Sequence, residues 1–119
     1  MKVSRGDIVL LDFPFAGGLG SKVRPALVVQ NDLDNRRLAN VIVAVITSQT
    51  KRLGTEPTQL LIDMAKEEGK QSGLLMDSVV NCVNLFTVEQ KRLIRVLGRL
   101  SEPLMSRVDA CLIAALQLS

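Results

Sequence analysis

The sequence contains no histidine, tryptophan or tyrosine, and it has only two cysteines and three phenylalanines in 119 residues. Without histidine there can be no Ser-His-Asp triad, no histidine general base and no histidine metal ligand. Any catalysis must therefore use arginine, lysine, carboxylates, hydroxyls or backbone groups. The shortage of aromatic rings also disfavours the stacking platforms by which many proteins bind RNA.

The two cysteines, Cys82 and Cys111, each lie in an apolar stretch. This placement predicts two small buried hydrophobic residues rather than a disulfide or a zinc site, and it fits a reducing compartment. No apolar run approaches the roughly 20 residues that span a bilayer. Residues 1–7 do not resemble a signal peptide, because Gly6 and Asp7 interrupt them before any apolar stretch. We therefore expect a cytoplasmic protein.

The length of 119 residues and the hydrophobic content of 47% predict one globular domain over residues 1–119 with its own core. The net charge of +3 is mild. It permits an RNA partner without requiring one.

Apolar and β-branched runs predict strands at 8–13, 26–30, 41–46, 58–62, 74–83 and 93–97. The runs at 26–30 and 41–46 are apolar throughout, which is typical of strands buried on both faces, as in a closed barrel. The glycine-rich segment 14–22 predicts a loop, the polar segment 31–40 a turn, and 64–71 a helical turn or loop.

The last segment has the pattern of a helix. Ser101 is a suitable N-cap, Glu102 favours the helix dipole, and Pro103 is tolerated in the first turn. Apolar residues then recur at helical spacing: Leu104, Val108, Cys111, Leu112 and Ala115. Short strands followed by one helix predict a mainly β protein, a small barrel with a packed C-terminal helix.

Seven short blocks stand in order along the chain: Arg5–Val9, Arg24–Val29, Val43–Ser48, Gly73-Leu74, Asp77–Val80, Leu85–Thr87 and Leu97–Ser101. In their order and spacing they resemble the MazF/PemK endoribonuclease toxins from end to end. The resemblance implies an SH3-like barrel and a homodimer. It also implies sequence-selective, metal-independent cleavage of single-stranded RNA without a cofactor, and an antitoxin protein as partner.

By the same resemblance, Arg24 and Thr47 are the catalytic residues, lying close together at the scissile phosphate. Residues expected to bind RNA around them are Ser21, Lys22, Ser48, Gln49, Ser78 and Asn84. The loop 17–22 stands where the best-known members carry a Glu-Gln pair, and residues 83–87, Val-Asn-Leu-Phe-Thr, stand where they carry an acid-Gln-Ile-Arg-Thr block. They resemble a second, Gly-Ser-Lys and Leu-Phe-Thr branch of the family. This difference affects base recognition more than cleavage.

The chemistry fits these residue types. When RNA cleaves at its own 2′-hydroxyl, a guanidinium can hold two oxygens of the attacked phosphate, and a threonine hydroxyl can donate to the same oxygens. The product would be a 2′,3′-cyclic phosphate with a 5′-hydroxyl. The residues do not identify the general base, because an ordinary arginine has a pKa above about 12.

Each of these residues also has an ordinary structural explanation. An arginine before proline is usually a solvated surface residue, a threonine at a strand end is a good β-former, and a serine such as Ser78 often bonds the backbone. The basic pairs Arg36-Arg37, Lys51-Arg52 and Lys91-Arg92 could bind RNA backbone or simply face solvent. Two other functions therefore stay open: a non-catalytic barrel that binds RNA or protein, and a toxin directed at DNA gyrase.

Overall fold

The structure, a computed structural model, describes residues 2–14, 20–50 and 56–118. Its strands are β1 (Asp7–Pro14), β2 (Ser21–Val28), β3 (Asn40–Thr47), β4 (Gln59–Ile62), β5 (Ser78–Glu89) and β6 (Leu93–Arg99). Its helices are α1 (Asp32–Arg37), α2 (Glu67–Lys70) and α3 (Glu102–Leu116), with a 3₁₀ turn at Gln90–Arg92.

The strands form one antiparallel sheet in the order β4-β5-β3-β2-β1-β6. The prediction of a mainly β fold with a C-terminal helix is confirmed. The expectation of a closed barrel is wrong, because the two outer strands, β4 and β6, do not pair with each other in the described part of the chain. Helix α3 packs against β4 and β5. It completes the core there, so burial does not require β4 to pair with β6.

Apolar residues on both faces of the central strands form two cores. Ile8, Leu27 and Ala44 belong to the core that α3 covers with Leu104, Val108 and other residues. The neighbouring residues Val9, Ala26 and Val43 belong to a second core on the opposite face, which Leu93 of β6 helps to fill. The continuous apolar run of β2 is thus buried on both sides as predicted, because successive strand residues point to opposite faces.

One helix and the ends of two strands differ from the sequence prediction. The polar segment 31–40 contains α1, because the side chain of Asn31 accepts a 2.8 Å hydrogen bond from the backbone N–H of Asp34 and caps a helix. Strand β2 begins at Ser21, inside the predicted loop, because residues 21–27 pair with β1. Strand β5 begins at Ser78 rather than at 74 and continues to Glu89.

The predicted cap of the last helix is confirmed. Ser101 lies just before α3, and its hydroxyl accepts a hydrogen bond from the backbone N–H of Leu104 at 3.4 Å. Both cysteines are buried and free, as expected. Burial raises the pKa of Cys82 to about 12, so its thiol stays protonated and behaves as a small apolar group.

No helix among the described residues is long and apolar enough to cross a membrane.

Candidate functional site

A groove of about 510 Å³ opens beside the start of β2 and the end of β3. The turn at 73–76 and strands β1 and β6 complete its walls. Its lining residues are Leu10, Lys22, Arg24, Pro25, Ile46, Thr47, Ser48, Gln49, Gly73, Leu74, Leu75, Met76, Ser78, Arg95 and Leu97.

Strand pairing brings the two predicted catalytic residues together. In the pairing of β2 with β3, Ala26 lies opposite Val45. This pair is the last of the ladder, and Arg24 and Thr47 each lie two residues beyond it on their own strands. Both side chains line the groove. The two positions thus lie at one groove, although 22 other residues separate them in sequence.

Arg24 is exposed and forms no ion pair with any residue that the structure describes. A guanidinium without a carboxylate partner keeps all its N–H donors for a ligand, and it can bind two phosphate oxygens at once. The donors of Arg24 are therefore available to a ligand in the groove.

Thr47 is held in place by its neighbour. The backbone N–H of Gln49 donates a 3.1 Å hydrogen bond to the Thr47 hydroxyl oxygen. With the oxygen accepting this bond, the hydroxyl hydrogen is free to donate toward the groove. Thr47 can thus supply a second donor beside Arg24.

The predicted RNA-binding residues that line the groove differ in exposure. Lys22, Ser48 and Gln49 line the groove and are exposed. Ser78 also lines it, but its side chain is buried and its hydroxyl donates to the carbonyl of Met76 at 2.9 Å. The geometry of Ser78 therefore matches the structural explanation, a backbone partner that shapes the turn.

Asn84 is not among the residues that line the groove. Strand β5 bulges there: Ala44 of β3 pairs with Leu85 while the next residue, Val45, pairs with Asn81. The residues between positions 81 and 85 leave the ladder, and Asn84 points to solvent outside the groove. The side chain of Ser21 lies outside the described part of the chain, as do residues 17–19 and the pair Lys51-Arg52.

Sequence reasoning missed Arg95, which comes from β6 and lines the groove on the far side of β1 from Arg24. It lies opposite Leu10 of β1, which is also a lining residue. The sequence holds only a weak indication of this. Arg95 stands between Ile94 and Val96 in a predicted strand, so its side chain lies on the face opposite theirs. Only the three-dimensional order of the strands places β6 next to β1.

The other missed feature is an apolar floor, formed by Leu10, Ile46, Leu74 and Leu97. The turn beside it fits closely against β6. Gly73 has a φ of 77°, and a Cβ at this position would collide with the carbonyl of Leu97. Leu75, the next residue but one, is 96% exposed at the rim. Gly73 thus allows the turn to form one wall of the groove.

The charges of the groove have one sign. Lys22, Arg24 and Arg95 line it, and no aspartate or glutamate does so among the residues described. Three cations around an apolar floor attract a polyanion with flat apolar parts, which is the chemistry of a nucleic acid. Sheet, helix and groove together define a small single-sheet protein with one helix packed against the sheet and a cationic groove at its surface.

Comparison with known proteins identifies the family. The model of the PemK-like, MazF-like toxin of type II toxin–antitoxin systems matches residues 4–116. The chain therefore belongs to this family of toxins.

Individual relatives agree with this assignment. The chain is 36% identical to a protein named Endoribonuclease EndoA from Bacillus subtilis, covering 99% of this chain and 97% of that one. It superimposes with a TM-score of 0.76 and 26% identity on a mycobacterial endoribonuclease solved in complex with its cognate antitoxin, covering 98% and 97% of the two chains. A MazE-MazF structure from Deinococcus radiodurans, at 19% identity and a TM-score of 0.76 over 100% of both chains, shares the fold.

Proposed function

We propose that this toxin-family protein is an endoribonuclease that cleaves single-stranded RNA in the groove around Arg24 and Thr47. The observation that carries the proposal is the convergence of these two side chains on one cationic groove, with Arg24 free of any described ion pair. Membership of the toxin family and the 36% identity to an endoribonuclease support it independently.

In the proposed reaction, the 2′-oxygen of the RNA attacks the adjacent phosphorus, and the bond to the 5′-oxygen of the next nucleotide breaks. The 2′-oxygen loses its proton, the departing 5′-oxygen gains one, and the products are a 2′,3′-cyclic phosphate and a 5′-hydroxyl. Arg24 holds the phosphoryl oxygens and stabilises the negative charge that builds up on them, with the Thr47 hydroxyl as a second donor.

The groove contributes mainly orientation and charge stabilisation. No carboxylate lines it among the described residues, so the protein groups that face the phosphate there are donors and cations. Donors already in place lower the barrier because they need no rearrangement as charge develops. The apolar floor can hold a base beside the attacked phosphate, and the alignment of the 2′-oxygen with the breaking bond adds to the rate.

Sequence selectivity would come from contacts around the scissile phosphate rather than from Arg24 itself, because phosphate contacts carry no base information. Lys22, Ser48 and Gln49 lie at the groove and are exposed. The Gln49 side-chain amide has both donors and an acceptor for a base edge. Lys22 would act as a phosphate contact.

Two protein partners belong to the proposal. The first is an antitoxin that covers the groove with an acidic segment, for which the three lining cations offer complementary charge. The second is another copy of this chain, supported by the exposed apolar residues Ile94 and Val96 on the outer strand β6. Sedimentation that shows only monomer at micromolar concentration would contradict the homodimer.

A toxin acting on cellular RNA would work in the cytoplasm as one domain, residues 1–119.

The test is incubation of the purified protein with single-stranded RNA in excess EDTA. Cutting with a 2′,3′-cyclic phosphate at the new end is expected, and the Arg24→Gln variant serves as the control for contaminating nucleases. RNA binding without any cutting would support a non-catalytic barrel instead. Inhibition of DNA gyrase by an otherwise inactive protein would support a gyrase-directed toxin.

A further inference from the structure

Arg95 occupies a position at the groove that the catalytic pair does not explain. It is exposed on β6 and forms no ion pair with any residue in the described ranges. An arginine on an outer strand usually faces bulk solvent, but this one lines the same groove as Arg24 and Thr47.

The strand order fixes the spacing between Arg95 and Arg24. Strand β1 lies between β2 and β6, and Leu10 of β1 pairs with Pro25 on one side and with Arg95 on the other. Arg24 and Arg95 are thus attached two strands apart, at a backbone separation of about 10 Å given the usual spacing between strands. Leu10 lines the groove together with both arginines.

We propose that Arg95 is a positioning residue that binds a phosphate next to the scissile one, so that the RNA backbone runs across β1 from Arg24 to Arg95. Two cations on separate strands favour two successive phosphates, and the nucleotide between them lies over Leu10 and the apolar floor. This inference rests on the proposed function, because it assumes that the polyanion in the groove is RNA.

The role differs from that of Arg24 in a measurable way. A residue that holds a neighbouring phosphate binds substrate and transition state equally, so its loss raises KM and leaves kcat unchanged. Each phosphate contact to a single strand also contributes about 0.7 to the slope of log affinity against log salt concentration.

The experiment measures binding and cleavage separately. Binding of a short 2′-O-methyl RNA of random sequence, which has no free 2′-hydroxyl to attack, is followed by fluorescence anisotropy over a range of salt concentrations. Cleavage of ordinary RNA is followed at saturating protein. The variants are Arg95→Gln, Arg95→Lys and the matched control Arg92→Gln, since Arg92 is an exposed arginine three positions away that does not line the groove.

Arg95→Gln is expected to weaken binding about tenfold and to lower the salt slope by about 0.7, with an unchanged rate at saturation. Arg95→Lys should restore the slope, and Arg92→Gln should match the parent. An unchanged affinity and slope in Arg95→Gln, an equal effect in Arg92→Gln, or a fall in the saturated rate would each overturn the assignment. Because binding is measured on uncleavable RNA, absence of cleavage by the parent would count against the proposed function but not against Arg95.

Discussion

The protein uses arginine in two contrasting ways in two regions. In the N-terminal clamp (Arg5, Asp7, Asp32, Arg99 and Asp109), the guanidinium of Arg5 bonds Asp109 at 2.6 Å and the carbonyl of Val29 at 2.9 Å. Arg99 reaches Asp7 at 3.3 Å and the carbonyl of Arg5 at 3.2 Å. In the groove, Arg24 and Arg95 have no ion-pair partner among the described residues.

The difference separates arginines that are bonded within the fold from arginines whose donors are open to a ligand. The clamp satisfies its donors with protein oxygens, and its bonds join the N-terminal segment to α3 and β6. The groove leaves its donors open and gathers them over apolar residues, where a ligand can bind and displace water. Exposure alone does not distinguish the two regions, because Arg99 and Arg24 are both exposed. What distinguishes the two regions is whether a carboxylate lies close enough to bond the guanidinium, as in the clamp.

The largest effect should come from Arg24. Arg24→Gln removes a charged donor aimed at the phosphate, and we expect cleavage to fall by about 10²–10³-fold. The rate is measured with RNA in excess and at saturation. Circular dichroism and the melting temperature should match the parent, because no described protein group loses a partner. A variant that cleaved at the parental rate would show that Arg24 takes no part in cleavage.

Thr47 should have a smaller effect. Thr47→Val keeps the shape of the side chain but removes a hydroxyl that donates to a charged group, which lowers the rate by about 10–100-fold. Thr87→Val is the matched control, since Thr87 is exposed on β5 outside the groove. Equal rates for the two variants would remove Thr47 from the site.

Arg5→Gln should give the opposite pattern. It breaks the bonds to Asp109 and Val29, and the free energy of unfolding should fall by about 1–2 kcal/mol, as measured by urea denaturation. The saturated cleavage rate of the folded protein should not change. A loss of cleavage without a loss of stability would contradict the division between clamp and groove.

Substitution of Asp32 should produce the smallest change in stability, and that change should appear as a pH dependence of the unfolding free energy. Its carboxylate accepts a 2.7 Å hydrogen bond from the backbone N–H of Arg5, which lowers the pKa of Asp32, and the side chain of Asn35 acts in the same direction. Because the folded-state pKa is lowered, the stabilisation is fully present above the ordinary aspartate pKa of about 3.9 and is lost as pH falls through the lower value.

The comparison of the parent with Asp32→Asn tests this contribution. The difference in unfolding free energy between the two proteins should be present near neutral pH and shrink in acid. A difference that stayed constant across this range would indicate that the ionised carboxylate of Asp32 contributes nothing to the clamp.

Local patterns predicted most of the elements because each depends on short-range physics. The apolar runs at 8–13 and 41–46 became strands, and Ser101 became the cap of α3. The helix α1 was missed because its polar residues have no apolar stripe, although Asn31 is a good N-cap. Sheet closure could not be predicted from local patterns, because it depends on how α3 packs against β4 and β5.

The candidate site was predictable only in part. Arg24 and Thr47 were assigned by family resemblance, and only the pairing of β2 with β3 explains why they reach one groove. The position of Asn84 away from the groove could not be predicted, because the bulge in β5 has no clear signal in the sequence. Arg95 was missed because its place beside β1 depends on the order of strands that are far apart in the chain.

The most direct test follows the side-chain Nε–H signals of the arginines by NMR while the uncleavable 2′-O-methyl RNA is added. The signals of Arg24 and Arg95 should shift together and saturate at one RNA concentration, while those of Arg5 and Arg99 stay in place. Shifts confined to Arg5 and Arg99, with Arg24 unmoved, would contradict the assignment of the groove as the RNA site.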